Sequence, residues 1–150
     1  MSAGISIKGM EPEWLDREAD KSNKLIHARM LEEQGEVDAA LNLYAEVATE
    51  EEQIADYCRR LGLIEKSYIN AISAAGCWVR AGDLYRALQG YEALLNDSAL
   101  TPRMRDNVCE LADKLRERRR QWSAFQRQLQ HAQELDSAES TSTTQAVSVG

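Results

Sequence analysis

Apolar residues recur along this chain at spacings of three and four, the signature of one helical face, and four breaks divide them into five runs. The first run opens at Pro12, after a lead-in of residues 1–11 with two glycines and no stripe, which is expected to be loose and flexible. Proline suits a first turn because its missing N–H would be unpaired there, and Glu11, Glu13 and Asp16 oppose the positive helix end. Its stripe is Leu15, Ala19, Ser22, Ile26 and Met30, and Gly35 ends it. The second helix runs from Glu36 to Gly62 on Val37, Ala40, Leu41, Tyr44, Val47, Ala48, Ile54, Cys58 and Leu61, with only Glu51 breaking the stripe. The acidic run Glu50, Glu51, Glu52 therefore reads as a solvated helical face. A third helix covers about Ile64 to Ala81 and is rich in small residues that allow close helix packing. After Gly82 a shorter fourth helix runs from Asp83 to about Asn96.

Thr101 and Pro102 supply an N-cap and a first-turn proline for a fifth helix, with no glycine or proline beyond them until the last residue. Met104, Val108, Leu111, Leu115, Arg118, Trp122, Phe125, Leu129 and Ala132 keep a four-and-three alternation, which is a heptad seam. The expected helix spans residues 101–135. Residues 136–150 are small and polar, cannot bury a face, and are expected to be disordered. At about 1.5 Å per residue the fifth helix would be roughly 50 Å long, more than a compact domain of this size covers. Its far end, with Arg118, Trp122, Phe125 and Leu129, is expected either to meet a second copy or another protein's helix, or to fold back over the preceding helices.

The first four helices contain a duplication. Ala28, Gly35, Ala40, Leu41 and Tyr44 recur as Ala75, Gly82, Ala87, Leu88 and Tyr91, all at one offset of 47 residues. Glu36 and Val37 match Asp83 and Leu84 in character. A fixed period of this size signals stacked helical hairpins. The residues resemble the tetratricopeptide repeat, a pair of antiparallel helices with a small residue in the first, glycine and an acidic residue at the turn, and alanine and an aromatic residue in the second. The resemblance spans about Leu25 to Leu95; Leu31 and Trp78 stand where it expects large apolar residues. The period exceeds the roughly 34 residues typical of that family, and a second helix prolonged by about three turns accounts for the excess. A helical solenoid with repeats of about 40–47 residues matches the period better and the residue pattern less well.

The expected fold is all-α: two such hairpins over residues 12–100, closed by the long C-terminal helix. The resemblance implies a scaffold that binds a peptide or helix on the face of the first helix of each pair. Carried onto this chain, that groove would be lined by Leu25, Arg29, Glu32 and Glu33, then by Ile72, Gly76, Val79 and Arg80; Leu25, Ile72 and Val79 have an equal claim to be core.

Composition narrows the function classes. With 150 residues, 43% hydrophobic and 29% charged, the chain is sized for one globular unit. A net charge of −7 weighs against nonspecific nucleic-acid binding. The charge is polarised, −8 over the first hundred residues and +3 from Thr101 to Leu135. The basic stretch at Glu117 to Arg120 lacks an aromatic stacking platform, so pairing with acidic residues of the first two helices, in one molecule or between copies, is preferred to nucleic acid. Cys58, Cys77 and Cys109 form neither a disulfide framework nor a metal knuckle. His27 and His131 have no acidic or thiol partner at a triad or metal spacing, and no phosphate-cradling glycine loop follows a strand. No catalytic, cofactor or metal site is assigned, and the chain reads as non-enzymatic. No membrane span or secretory signal is found in the sequence, from which cytoplasmic residence is expected. Three functional readings follow: an adaptor using the groove, a self-associating subunit using the heptad helix, and, third, a regulator using the arginines on nucleic acid.

Overall fold

The computed structural model describes residues 9–149, and side chains for residues 9–142. Its five helices are α1 (Pro12–Glu33), α2 (Val37–Arg60), α3 (Ile64–Arg80), α4 (Leu84–Leu95) and α5 (Pro102–Val149). The fold is all-helical, with no strand among the described residues. The chain divides into two compact units, Met1–Ala112 and Asp113–Gly150.

The first unit is punctuated by three identical helix ends. Gly35, Gly62 and Gly82 stand at φ of +81°, +80° and +84°, the left-handed region that only glycine adopts cheaply. At each, the next residue's N–H reaches back to a helix carbonyl: Glu36 to Leu31 at 2.9 Å, Leu63 to Cys58 at 2.8 Å and Asp83 to Trp78 at 2.9 Å. These bonds satisfy carbonyls that a helix end otherwise orphans. The expected glycine punctuation is therefore the turn geometry itself. Asp83 also accepts from the N–H of Arg86 at 3.0 Å and caps α4.

Within this unit α2 packs against both α1 and α3, and α3 against α4. Tyr44, Val47, Ala48, Ile54 and Cys58 of α2 are buried, as are Ala74, Ala75 and Trp78 of α3 and Ala87, Leu88, Tyr91 and Leu94 of α4. The duplicated pairs Ala28/Ala75, Ala40/Ala87 and Tyr44/Tyr91 all lie in the core. At Gly90 an added Cβ would stand 3.3 Å from the Ala75 Cβ, so α3 and α4 cross closely there.

Four expectations need correction. The lead-in is anchored where described: Met10 is buried with Ile54, Tyr57 and Cys58, and the Glu11 N–H donates to the Tyr57 hydroxyl at 2.9 Å. Tyr57 in turn stacks on Trp14, with ring centroids 4.1 Å apart. Residues 1–8 lie outside the described residues. On α1 all of the expected stripe but Leu15 faces out: Ala19, Ser22, Ile26 and Met30 are exposed, and the inward residues are Trp14, Leu15, Leu25, Ala28 and Leu31. The inner face was masked by Lys21 and Lys24, which are part of it because each meets a carboxylate of α2. On α2 the acidic run is not a solvated face: Glu51 is 2% exposed, Glu50 is half-buried against Lys24, and only Glu52 is exposed. Finally, the backbone of α5 stays helical to Val149 instead of ending near Leu135. The segment holds no glycine or proline before Gly150, and the Thr141 hydroxyl donates back to the Ser137 carbonyl at 2.9 Å.

Candidate protein-interaction surfaces

Charged pairs stitch α1 to α2 and α3. Lys66 Nζ lies 2.8 Å from Glu18, Lys21 Nζ 3.0 Å from Glu51, and Arg80 Nη1 3.9 Å from Glu32. The middle pair is buried, with the Ser73 hydroxyl donating to the same Glu51 oxygen at 3.1 Å. Nearby Cys77 has its thiol pushed up to about 11 by burial and then by the Glu51 charge, so it is protonated at neutral pH. That disposes Cys77 to packing and not to nucleophilic chemistry. Among the described residues no cluster of three His, Cys, Asp or Glu could hold a metal ion. No helix of the described residues is long and apolar enough to cross a membrane.

Tyr44 gathers three of the eight groove residues. Its hydroxyl donates to Glu32 and accepts from Arg80, both at 3.3 Å, the Arg80 guanidinium lies 5.6 Å from its ring centre, and Leu25 packs against its cluster. Arg80 and Glu32 are thus occupied by one another and by the core tyrosine. Arg29 and Glu33 are exposed, and Arg29 has no hydrogen bond or ion pair among the described residues. Ile72, Gly76 and Val79 are half-buried along one face of α3. Sequence reasoning missed Ile69, which is 52% exposed and continues that face one turn back. The spacing 69, 72, 76, 79 was the available signal.

In the first unit the α4–α5 junction is tied down by Asp97. Its carboxylate accepts from the Ala99 N–H and the Tyr68 hydroxyl, both at 2.9 Å, which holds it below its ordinary range. Arg105 donates to the carbonyls of Leu95 and Asp97 at 2.7 and 2.8 Å, and Thr101 caps α5 by accepting from the Met104 N–H. Val108, Ala112 and Leu115 of α5 are buried.

From Glu117 onward every described side chain of α5 except Ala124 is exposed. Trp122, Phe125 and Leu129 are 58%, 48% and 47% exposed, and the two rings touch at 5.7 Å between centroids. The heptad seam is therefore covered in its first half and bare in its second. Arg116 pairs with Asp113 and Arg120 with Glu117, each within the helix, and the latter holds the Glu117 carboxyl below its ordinary range. Arg118, Arg119 and Arg127 have no hydrogen bond or ion pair among the described residues. Compared with family models, with curated proteins and with solved structures, the chain has no significant match.

Proposed function

We propose that this chain is a non-catalytic protein–protein interaction scaffold whose helical hairpins carry a docking helix, the distal part of α5. The observation that carries the reading is the bare seam of Trp122, Phe125 and Leu129. An aromatic side chain buries about 150–250 Å² when covered. With about half of each ring open, Trp122 and Phe125 offer on the order of 200 Å², worth about 5 kcal/mol at ~25 cal/mol per Å² before the entropy of association is subtracted. A contiguous apolar stripe rimmed by charge has the form of a docking surface, and Arg118 and Arg119 beside it favour an acidic partner. Replacing Trp122 and Phe125 by alanine should abolish association without unfolding the hairpins, since neither residue is part of the core. Unchanged assembly mass in that variant would sink the proposal.

The tetratricopeptide-like reading adds a second surface, a groove for a peptide or helix on α1 and α3. It is supported by the apolar strip of Ile69, Ile72, Gly76 and Val79 and by the unengaged Arg29. With Arg80 and Glu32 already paired, Arg29 is the residue left to hold a partner's carboxylate. An Arg29→Ala change should weaken capture of an acidic peptide and leave assembly through α5 unaltered.

A further inference from the structure

Two of the exposed apolar seams among the described residues match. One is on the outer side of α1, where Ile26 and Met30 are 57% and 50% exposed one turn apart, with Ala19 and Asn23 exposed on the same side toward the helix start. The other is Arg118, Trp122, Phe125 and Leu129 on α5. Laid side by side at an offset of 99 residues, Ala19, Asn23, Ile26 and Met30 stand opposite Arg118, Trp122, Phe125 and Leu129. Both follow the same four-three-four spacing over about 17 Å of helix.

Their charges are opposite at the same register. Asp16 and Asp20 flank the α1 seam at its N-terminal end, exposed and without a hydrogen bond or ion pair among the described residues. Arg118 and Arg119 occupy the corresponding end of the α5 seam, equally unpaired. At the offset that places Phe125 on Ile26 and Leu129 on Met30, Arg118 falls on Ala19, in the hole bounded by Asp16 and Asp20. Small Ala19 and Asn23 leave space for the guanidinium of Arg118 and the indole of Trp122. Two copies of α5 paired in parallel would instead bring their arginines together, which costs rather than gains energy.

We infer that the partner of the docking helix is a second copy of this chain, with the distal seam of α5 lying parallel along the outer face of α1 of the other molecule. This rests on the reading of the α5 seam as a docking surface and adds the surface that receives it. The contact is head-to-tail: each copy offers one donor helix and one acceptor face. Such a contact grows with concentration unless two copies exchange helices reciprocally and close.

Complementation between two full-length variants tests it. Trp122→Ala/Phe125→Ala removes the donor and keeps the acceptor, while Ile26→Glu/Met30→Glu removes the acceptor and keeps the donor; all four residues are exposed, and helicity by circular dichroism checks that each variant folds. The wild type should associate, each variant alone should hold the monomer mass of 16.9 kDa, and an equimolar mixture should form a pair of about twice that mass. A charge exchange checks the register: Asp20→Arg and Arg118→Asp should each weaken association about tenfold, and the chain carrying both should recover it. If the Ile26→Glu/Met30→Glu variant associates like wild type, α1 is not the acceptor, although the α5 reading survives. If the Trp122→Ala/Phe125→Ala variant associates, or wild type is a monomer throughout, the α5 reading itself is wrong and this inference falls with it.

Discussion

Replacing Lys21 by methionine should be among the most destabilising single changes in the first unit. Lys21 and Glu51 meet at 3.0 Å with side chains 12% and 3% exposed, and the second carboxylate oxygen of Glu51 has no hydrogen-bond partner among the described residues. At an effective dielectric of about 20 two unit charges at that distance attract by about 5 kcal/mol. Removing the ammonium leaves a buried carboxylate held by the Ser73 hydroxyl alone, a loss of about 3–5 kcal/mol. Total stability of a domain is about 5–15 kcal/mol, so the variant should be marginal. Exchanging both residues for methionine removes the charge as well as its partner and should return stability to within about 1 kcal/mol of the original. Urea unfolding followed by the fluorescence of Trp14 and Trp78 in a Trp122→Phe background reports on this unit. With a slope near ~2 kcal/mol per M the Lys21→Met midpoint should fall by about 2 M. A fall under about 0.5 M, or a double variant as weak as the single, would refute the claim that this pair compensates a charge buried between the helices.

Other expectations follow from the same geometry. Gly35→Ala, Gly62→Ala and Gly82→Ala should each cost about 1–2 kcal/mol because of positive φ, whereas Gly76→Ala, on a helix with open space at its Cβ, should gain about 0.5–1 kcal/mol; urea midpoints measure both. In the native protein a thiol reagent at neutral pH should label exposed Cys109 and spare Cys58 and Cys77 until urea unfolds the chain; rapid labelling of Cys77 would contradict its burial. The Asp97 carboxyl titrates below its ordinary 3.8, so its contribution to stability is complete above that value and disappears as pH falls through the lower folded value. Lys24, raised above 10.5 by its bond to Glu50, contributes fully below that pH and loses its contribution as pH rises past the folded value. Stability profiles of Asp97→Asn and Lys24→Met should lose the acid and alkaline limbs respectively.

Helix number and order were legible because glycines at 35, 62 and 82 sit at left-handed ends and because Thr101 and Pro102 start a helix unambiguously. The core of α2 from Ala40 to Cys58 was legible because its apolar spacing is interrupted only at Glu51, although Val37 and Leu61 at the ends of that stripe are exposed. That interruption is where reading by hydropathy fails: a charge opposed by a partner on another helix is invisible as core until both are seen together. The same blindness misplaced all of the α1 stripe but Leu15: the inner face is built with Lys21 and Lys24, while apolar Ile26 and Met30 face out. Three groove residues meet at Tyr44, but Arg80 and Glu32 are paired there, which no spacing along one helix could reveal. On α5 the heptad spacing indicated a seam; only exposure shows that it is covered as far as Leu115 and bare at Trp122, Phe125 and Leu129.

The most direct test is the light-scattering mass of the full-length protein and of its Trp122→Ala/Phe125→Ala variant over a hundredfold range of concentration. The account predicts a wild-type mass above 16.9 kDa that rises with concentration and a variant that stays at 16.9 kDa with its helicity intact. A wild-type monomer at every concentration, or a variant that assembles as the wild type does, would contradict it.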